Sequence, residues 1–263
     1  MTRLPVMGVD EDGFILTLPE TSLQPEFEVL LADVCTTLAL VQPTLDGVYL
    51  YGSIARGEAR PGVCDLDLTL VFRDPPSGLE TQTLETVRQQ LQARHKTVSK
   101  IDFDVGSRSQ VLAPENLYSW GYWLKHHCRN LWGNDLARHF GRFWPSREIA
   151  VAVNGDFQLK LAAYATLIEQ AETPTQQLRL KREASRKLIR STQVLRPEHA
   201  LAWPWTLEEH IELFLVQFPA KGSQMVFFLA HANGHEIQGK EFVTHLRSFS
   251  NWMAEQLAKQ SSE

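Results

Sequence analysis

The sequence lacks the features that mark several large classes of protein. It has three cysteines among 263 residues, too few and too widely spaced for a disulfide framework or a paired-cysteine zinc site. No apolar run approaches the ~18 residues that a membrane-spanning helix needs. The first residues contain no apolar signal core, so the expected location is the cytoplasm and no membrane partner is expected.

An excess of positive charge is also missing. Lys and Arg total 26 against 31 Asp and Glu, which gives a formal net charge of −5. This balance argues against a non-specific nucleic-acid coat, although it leaves room for a local basic patch. Hydrophobic residues make up 43% and charged residues 22% of the chain, the proportions of an ordinary globular protein. The sequence therefore predicts one large or two modest folded domains.

Hydrophobic periodicity divides the chain into an α/β part and a helical part. In the first part it predicts a short edge strand at 14–18, further strands at 48–51, 65–72 and 99–105, and helices at 25–41 and 79–95. This order predicts a small α/β domain with a mixed sheet over residues 1–110. An aromatic-rich transition is expected at 111–145. A helical bundle is expected over 146–263, with helices at 147–171, 175–195, 206–217, 222–233 and 239–258.

Acidic residues alternate with apolar ones in two of the predicted strands. Successive side chains of a strand point to opposite faces, so Asp65 and Asp67 share one face while the leucines beside them point to a core. Asp102 and Asp104 repeat this alternation in the third strand. Carboxylates on a half-buried face repel each other, and magnesium relieves the repulsion because it prefers hard oxygen ligands. If the strands are neighbours, the carboxylates can hold two Mg²⁺ ions and leave one group to accept a proton.

A glycine–serine pair lies between a strand and a helix. Gly52 and Ser53 follow the predicted strand 48–51. Glycine permits a sharp turn and a close approach of the backbone, and the free amides at a helix start favour an anion. Ser53 adds a hydroxyl donor. The combination predicts a triphosphate cradle facing a magnesium site, and the alternative is an ordinary turn beside a solvated edge strand.

The segments 52–57 (GSIARG) and 65–67 (DLD) resemble the signature of the nucleotidyltransferase superfamily that includes DNA polymerase beta. The resemblance covers about residues 45–105 and is greatest to the minimal nucleotidyltransferases and the aminoglycoside adenylyltransferases. It implies that Asp65 and Asp67 bind metal and that the pair at 52–53 holds the nucleotide phosphates. It also implies a third carboxylate on the next strand, for which Asp102 is the favoured candidate and Asp104 the alternative.

The resemblance implies an enzyme that moves a nucleoside monophosphate onto a hydroxyl group and releases pyrophosphate. AMP from ATP is the favoured donor, although another NTP fits the same motif. Two Mg²⁺ ions held by Asp65, Asp67 and Asp102 are the implied cofactors, and Asp102 or Asp104 would assist deprotonation. The acceptor is left open among a small molecule such as an aminoglycoside, a protein and an RNA end. The alternative function is a non-catalytic nucleotide-binding or interaction module, like the small superfamily members that act in toxin–antitoxin pairs.

Basic residues cluster in the predicted helix at 175–195, where they are Arg179, Lys181, Arg182, Arg186, Lys187 and Arg190. Three of these arginines are four residues apart and form one stripe. The functional interpretation is that the helix supplies cations to the nucleotide, with Arg186 and Lys187 as ligands. The alternative is a solvated or ion-paired face. Arg56, near the phosphate turn, is either a phosphate ligand or a surface charge.

Overall fold

A computed structural model gives the structure of residues 6–19, 22–235 and 241–260. The chain forms two compact units. The first unit is Leu16–Phe143, and the second combines the described residues up to Ile15 with the chain from Trp144 onward. None of the helices in the described ranges is long and apolar enough to cross a membrane.

A four-stranded mixed sheet forms the centre of the first unit. Its strands are β1 (Leu45–Tyr51), β2 (Leu66–Phe72), β3 (Ile101–Ser107) and β4 (Arg129–Gly133). The helices of this unit are α1 (Glu28–Val41), α2 (Gly52–Arg56), α3 (Gly78–Arg94), α4 (Arg108–Leu112) and α5 (Tyr122–His127). The strand order is β3-β2-β1-β4. β1 is antiparallel to β2 and β4, whereas β2 and β3 are parallel and are joined by the crossover helix α3.

Alternation along the strands sends two sets of side chains to opposite faces of the sheet. One face, which includes Val48 and Leu50 of β1 and Leu68 and Leu70 of β2, packs on α1 and α3 in the main core. The opposite face carries Tyr49 of β1. A second apolar cluster covers part of this opposite face, and its other buried members are Val71, Val111, Leu124 and Leu136. Strand periodicity therefore leaves alternate residues of β1, β2 and β3 on the face away from α1 and α3.

Helices make up most of the second unit. They are α6 (Arg147–Asn154), α7 (Phe157–Glu169), α8 (Pro174–Ser191), α9 (Leu207–Gln217), α10 (Gly222–Ala232) and α11 (Phe242–Gln260). The apolar faces of α7, α8, α9, α10 and α11 share one core, which includes Phe157, Leu188, Phe228 and Phe249. α9 begins with a capping box at Thr206, which gives partners to backbone N–H groups that a helix start leaves unpaired.

The fold class expected from the sequence, a mixed-sheet α/β domain followed by helices, is confirmed. Two predicted elements differ from the structure. The predicted helix at 147–171 is interrupted at Gly155 and Asp156, which separate α6 from α7. The edge strand predicted at 14–18 is wrong, because Ile15 forms only an isolated bridge with Val9. A segment with a strand-like pattern becomes a strand only where a second segment pairs with it along its length.

The contacts also divide the chain at positions that differ from the expected domain boundaries of 1–110, 111–145 and 146–263. Residues 111–143, expected as a transition, contribute β4 to the sheet and α5 to the cluster on its second face. The described residues up to Ile15 belong to the second unit, where Trp203 donates a backbone hydrogen bond to Met7 and Phe14 stacks on Trp144. These assignments depend on contacts between distant parts of the chain, which local periodicity does not show.

Candidate functional site

The acidic residues predicted as a site lie on the sheet face that turns away from α1 and α3. The parallel register sets Asp67 of β2 beside Asp102 of β3, and it sets Thr69 beside Asp104. On the other side of β2, Tyr51 of β1 is the strand partner of Asp67. The structure therefore brings a tyrosine and two aspartates into one row across three neighbouring strands.

Asp65 lies just before this row, because β2 begins at Leu66 rather than at Asp65 as the alternation predicted. The Ser99 hydroxyl donates a hydrogen bond to the Asp65 carboxylate. The backbone N–H of Leu66 donates to the carbonyl of Lys100 at 2.8 Å, which joins the chain before β3 to the start of β2. Asp65 is close enough to Asp67 for its charge to raise the pKa of that carboxyl.

Asp67 lies where negative charge accumulates. Burial raises the pKa of Asp67 to about 6, and the charges of Asp65, Asp102 and Asp104 act in the same direction. Lys100 lowers it. The ionised form of Asp67 is therefore disfavoured by desolvation and by like charges together, which is a common property of functional carboxylates.

The two carboxylates of β3 each have a polar partner. The ammonium of Lys100 lies 2.7 Å from Oδ1 of Asp102. The Tyr51 hydroxyl donates a hydrogen bond of 2.6 Å to Oδ2 of Asp104. Burial and the charge of Asp104 raise the pKa of Tyr51, so its hydroxyl stays protonated and remains a donor. Asp102 and Asp104 are thus held in different ways, although they share a face of the same strand.

Gly52 and Ser53 form the turn from β1 into α2. Gly52 has a φ of +77°, and a Cβ atom built on it would collide with the carboxylate of Asp67. Only glycine combines this backbone conformation with so close an approach. Ser53 is the second residue of α2, and the helix ends at Arg56, whose Nε lies 2.8 Å from Oε2 of Glu58. The predicted phosphate turn and the predicted metal ligand Asp67 are therefore in direct contact.

The aromatic segment contributes side chains to this face that were not predicted from the sequence. Nε1 of Trp123 donates to Oγ1 of Thr69 at 3.3 Å, and its ring meets Tyr51 with the centroids 5.0 Å apart. His127 stacks on Trp123 with a centroid distance of 5.1 Å. The strand alternation could have revealed Tyr51, because it has the parity of the acidic face. No local signal connects Trp123 with β2, since the contact spans distant parts of the sequence.

Two predicted nucleotide ligands lie in the second unit, on α8. Nε of Arg186 donates to the carbonyl oxygen of Ala232 at 3.1 Å. The ammonium of Lys187 lies 2.9 Å from Oδ1 of Asp156. Both cations therefore have partners within their own unit. Their role as nucleotide ligands stays a prediction, and the same holds for Arg56 in the first unit.

The donor set of the acidic face suits a hard divalent cation. Carboxylate oxygens are the protein ligands that Mg²⁺ prefers. Among the residues that the structure describes, no three acidic, histidine or cysteine side chains already converge as in an assembled metal centre. A cation would nevertheless relieve the repulsion that the raised pKa of Asp67 records. The residues present therefore fit a metal chemically, and Asp65, Asp67 and Asp102 are the candidates to hold it.

Comparisons with known proteins agree with this arrangement. A family model described as a nucleotidyltransferase domain matches residues 38–112, which include β1, the Gly52 turn, β2 and β3. A search of curated proteins gave no significant match.

One similar solved structure is the crystal structure of spectinomycin adenyltransferase AAD(9) from Enterococcus faecialis with ATP and spectinomycin. It has a TM-score of 0.55 and 13% sequence identity, and the alignment covers 88% of this chain and 98% of that one. At this identity the likeness shows the fold alone. The match to the family model covers the whole acidic row and its glycine turn. The family model therefore supports a nucleotidyltransferase superfamily assignment for residues 38–112.

Proposed function

We propose that this protein transfers the adenylyl group of ATP to a hydroxyl group of a small-molecule acceptor. The observation that carries the proposal is the contact of Asp67 with the Gly52 turn on one side and its register with Asp102 on the other. In the reaction the acceptor oxygen forms a bond to the α-phosphorus. The bond from that phosphorus to the oxygen bridging the α- and β-phosphates breaks, and pyrophosphate leaves.

Asp65, Asp67 and Asp102 would hold Mg²⁺ in this proposal, with two ions as the family resemblance implies. When bound, the metal neutralises phosphate charge and lowers the pKa of the acceptor hydroxyl. The repulsion among the carboxylates supports the assignment, because it weakens when a cation joins them. Asp102 is the favoured third ligand because it is the register partner of Asp67, whereas Asp104 lies one step further along β3.

The remaining residues of the first unit bind and orient the donor in this proposal. The backbone at Gly52 can approach a phosphate closely because no side chain intervenes. The Ser53 hydroxyl donates to a phosphate oxygen, and Arg56 supplies a cation near the turn. Asp102 or Asp104 accepts the proton of the acceptor hydroxyl. The hydrogen bond from Tyr51 orients the carboxylate of Asp104 on the same face.

The similar structure gives the first acceptor to test. That structure is of a complex with ATP and spectinomycin, and the alignment extends over 88% of this chain, well beyond the sheet domain. A hydroxylated antibiotic of the spectinomycin or aminoglycoside type is therefore the proposed acceptor class. An RNA end and a protein hydroxyl are the competing acceptors.

Transfer of labelled adenylate tests the proposal directly. The purified protein is incubated with Mg²⁺ and ATP labelled at the α-phosphate, in parallel with spectinomycin, other aminoglycosides, total tRNA and cell protein. We expect label transfer and stoichiometric pyrophosphate release with a member of the antibiotic class. Asp67→Asn should lower the rate roughly a thousandfold, which corresponds to about 4 kcal/mol of transition-state stabilisation.

Asp33→Asn is the matched control, because Asp33 is an aspartate of α1 that pairs with His95 outside the acidic row. This variant should keep its rate within about twofold of wild type. Label transfer only to tRNA or only to protein would support the adenylyl-transfer reaction but refute the proposed acceptor class. Binding of ATP without transfer to any acceptor would support the non-catalytic module. Undiminished transfer by Asp67→Asn would refute the mechanism.

A further inference from the structure

Lys100 is a cation placed inside the acidic face, one residue before β3. Its ammonium lies 2.7 Å from Oδ1 of Asp102, and the two side chains are 44% and 38% exposed. Its backbone carbonyl accepts the hydrogen bond from Leu66, which fixes the residue beside the start of β2. The position of Lys100 is therefore set by the same strand pairing that sets the carboxylates.

The ion pair of Lys100 engages a carboxylate that the proposed metal also needs. Asp102 is the register partner of Asp67, and both side chains lie on one face of the sheet. A cation shared by these two residues must therefore lie over that face, above the β2–β3 pair. Oδ1 of Asp102 is already paired with the ammonium. A divalent ion and an ammonium repel each other strongly at the distance at which both contact one carboxylate. Full engagement of Asp102 by a metal therefore requires the Lys100 pair to loosen.

We propose that Lys100 is a resident counter-cation of the acidic row, which holds Asp102 until a divalent cation displaces it. The inference rests on the proposed function, because it takes Asp65, Asp67 and Asp102 as metal ligands. In the metal-free protein the ammonium reduces repulsion among the carboxylates and keeps Asp102 in place. The same interaction opposes metal binding, so Lys100 sets the cation concentration at which the site is occupied.

Replacing Lys100 by methionine tests the competition, because Lys100→Met removes the charge and keeps most of the aliphatic stem. Mn²⁺ is the probe, since it takes the same oxygen ligands as Mg²⁺ and its binding is measured by electron paramagnetic resonance. We expect Lys100→Met to bind Mn²⁺ about three- to tenfold more tightly, the range for loss of one partly exposed charge pair. In EDTA its Tm should be lower than that of wild type, and saturating Mn²⁺ should close the difference.

Arg94→Met provides the matched control. It removes the same charge from an ion pair of similar exposure, in which Arg94 lies 3.3 Å from Asp33. Its Mn²⁺ affinity should stay within about twofold of wild type, and Lys100→Arg should retain the wild-type affinity because it keeps the charge. Unchanged or weaker Mn²⁺ binding by Lys100→Met would overturn the inference.

Asp67→Asn separates this inference from the proposed function. If Asp67→Asn loses Mn²⁺ binding while Lys100→Met binds like wild type, only the role of Lys100 fails. If wild type binds no Mn²⁺, or Asp67→Asn binds it as well as wild type does, the proposed metal site fails and the inference with it.

Discussion

Asp67 is an ionisable residue whose charge the fold disfavours. Its carboxylate is largely withdrawn from water, touches the Gly52 turn and shares its face with three further aspartates. A sheet selected only for stability would gain from an uncharged residue at this position, because burial and like charges both oppose ionisation. The retention of an acidic row under these conditions is the residue-level reason to expect a cation-dependent function.

The raised pKa of Asp67 makes the stability of the metal-free protein depend on pH. The folded state keeps the proton up to about pH 6, whereas the unfolded carboxyl loses it near 3.8. The folded state therefore binds more protons in this interval, and the free energy of unfolding falls as the pH rises through it. In EDTA, Asp67→Asn should remove this loss and raise the free energy of unfolding at pH 7 to 8 by about 1–3 kcal/mol. Urea titrations between pH 4 and 8 measure the effect.

Asp33→Asn should change the free energy of unfolding in the opposite direction and serves as the control. The hydrogen bond from His95 lowers the pKa of Asp33, so its charge favours the folded state. This variant should lose stability at neutral pH, where Asp33 is ionised in the folded protein. Equal pH profiles for wild type and Asp67→Asn would show that the like charges on the acidic face are relieved in some other way.

Two glycines have the same backbone conformation, but only one of them contacts Asp67. Replacing each by alanine therefore separates the cost of backbone strain from the cost of losing that contact. Gly52 and Gly57 have φ values of +77° and +74°, but only at Gly52 would a Cβ meet the carboxylate of Asp67. Gly57→Ala should therefore cost about 1–2 kcal/mol of stability, the usual cost of a left-handed alanine. Gly52→Ala should cost more and should also abolish the proposed adenylyl transfer. Urea midpoints and the label-transfer rate distinguish the variants, and equal losses in both would contradict the contact.

At the scale of elements, strand alternation was enough to predict the face on which the acidic residues lie. The alternation was sufficient because the acidic residues of β2 and β3 are interleaved with apolar residues that pack in the main core. It could not say which aspartates meet, since that depends on the register of β2 and β3 across the α3 crossover. The sequence left Asp102 and Asp104 as alternatives for the third ligand, and only the register distinguishes their positions relative to Asp67.

β4 shows why another part of the sheet could not be predicted. Its five residues, RNLWG, do not alternate between apolar and polar types, and all of them are exposed or half-buried. The strand forms because β1 offers an edge to it, with Val48 paired to Trp132 and Leu50 to Arg129. The same lack of a local signal hid the contact of Trp123 with the acidic face. Elements that are held by a distant partner leave little trace in their own sequence.

The hydroxyl of Tyr49 joins β1 to the backbone of Asn134 and Leu136. The contribution of these hydrogen bonds to stability can be measured. The hydroxyl donates to the carbonyl of Asn134 at 2.6 Å and accepts from the N–H of Leu136 at 2.9 Å, and the side chain is fully buried. Tyr49→Phe leaves both backbone groups without this partner and should lower the free energy of unfolding by about 1–3 kcal/mol. Chemical denaturation measures the loss. Tyr118→Phe, at a side chain that is 41% exposed, should change it by less than about 0.5 kcal/mol.

At the scale of the whole molecule, each unit contains apolar clusters of its own. The change in composition after residue 110 predicted an aromatic-rich transition at 111–145 between the two domains, because aromatic residues replace the alternating strands. The contacts instead keep the first unit continuous to Phe143. One reason is that part of the aromatic segment packs on the sheet, since its buried residues Leu124 and Leu136 lie in one cluster with Tyr49 and Val71.

Two fragments with the same start test where the first unit ends. Residues 16–143 include β4 and the whole cluster on the second sheet face, so this fragment should unfold cooperatively in urea. Residues 16–110 lack β4, leave β1 as an open edge and expose Tyr49 and Val71 to water. A sheet with an uncovered apolar face and an unpaired edge strand favours aggregation over folding. We therefore expect a cooperative transition by circular dichroism only for the longer fragment. Equal cooperativity in the shorter one would mean that α1 and α3 alone stabilise the sheet and that the aromatic segment is an addition to a complete domain.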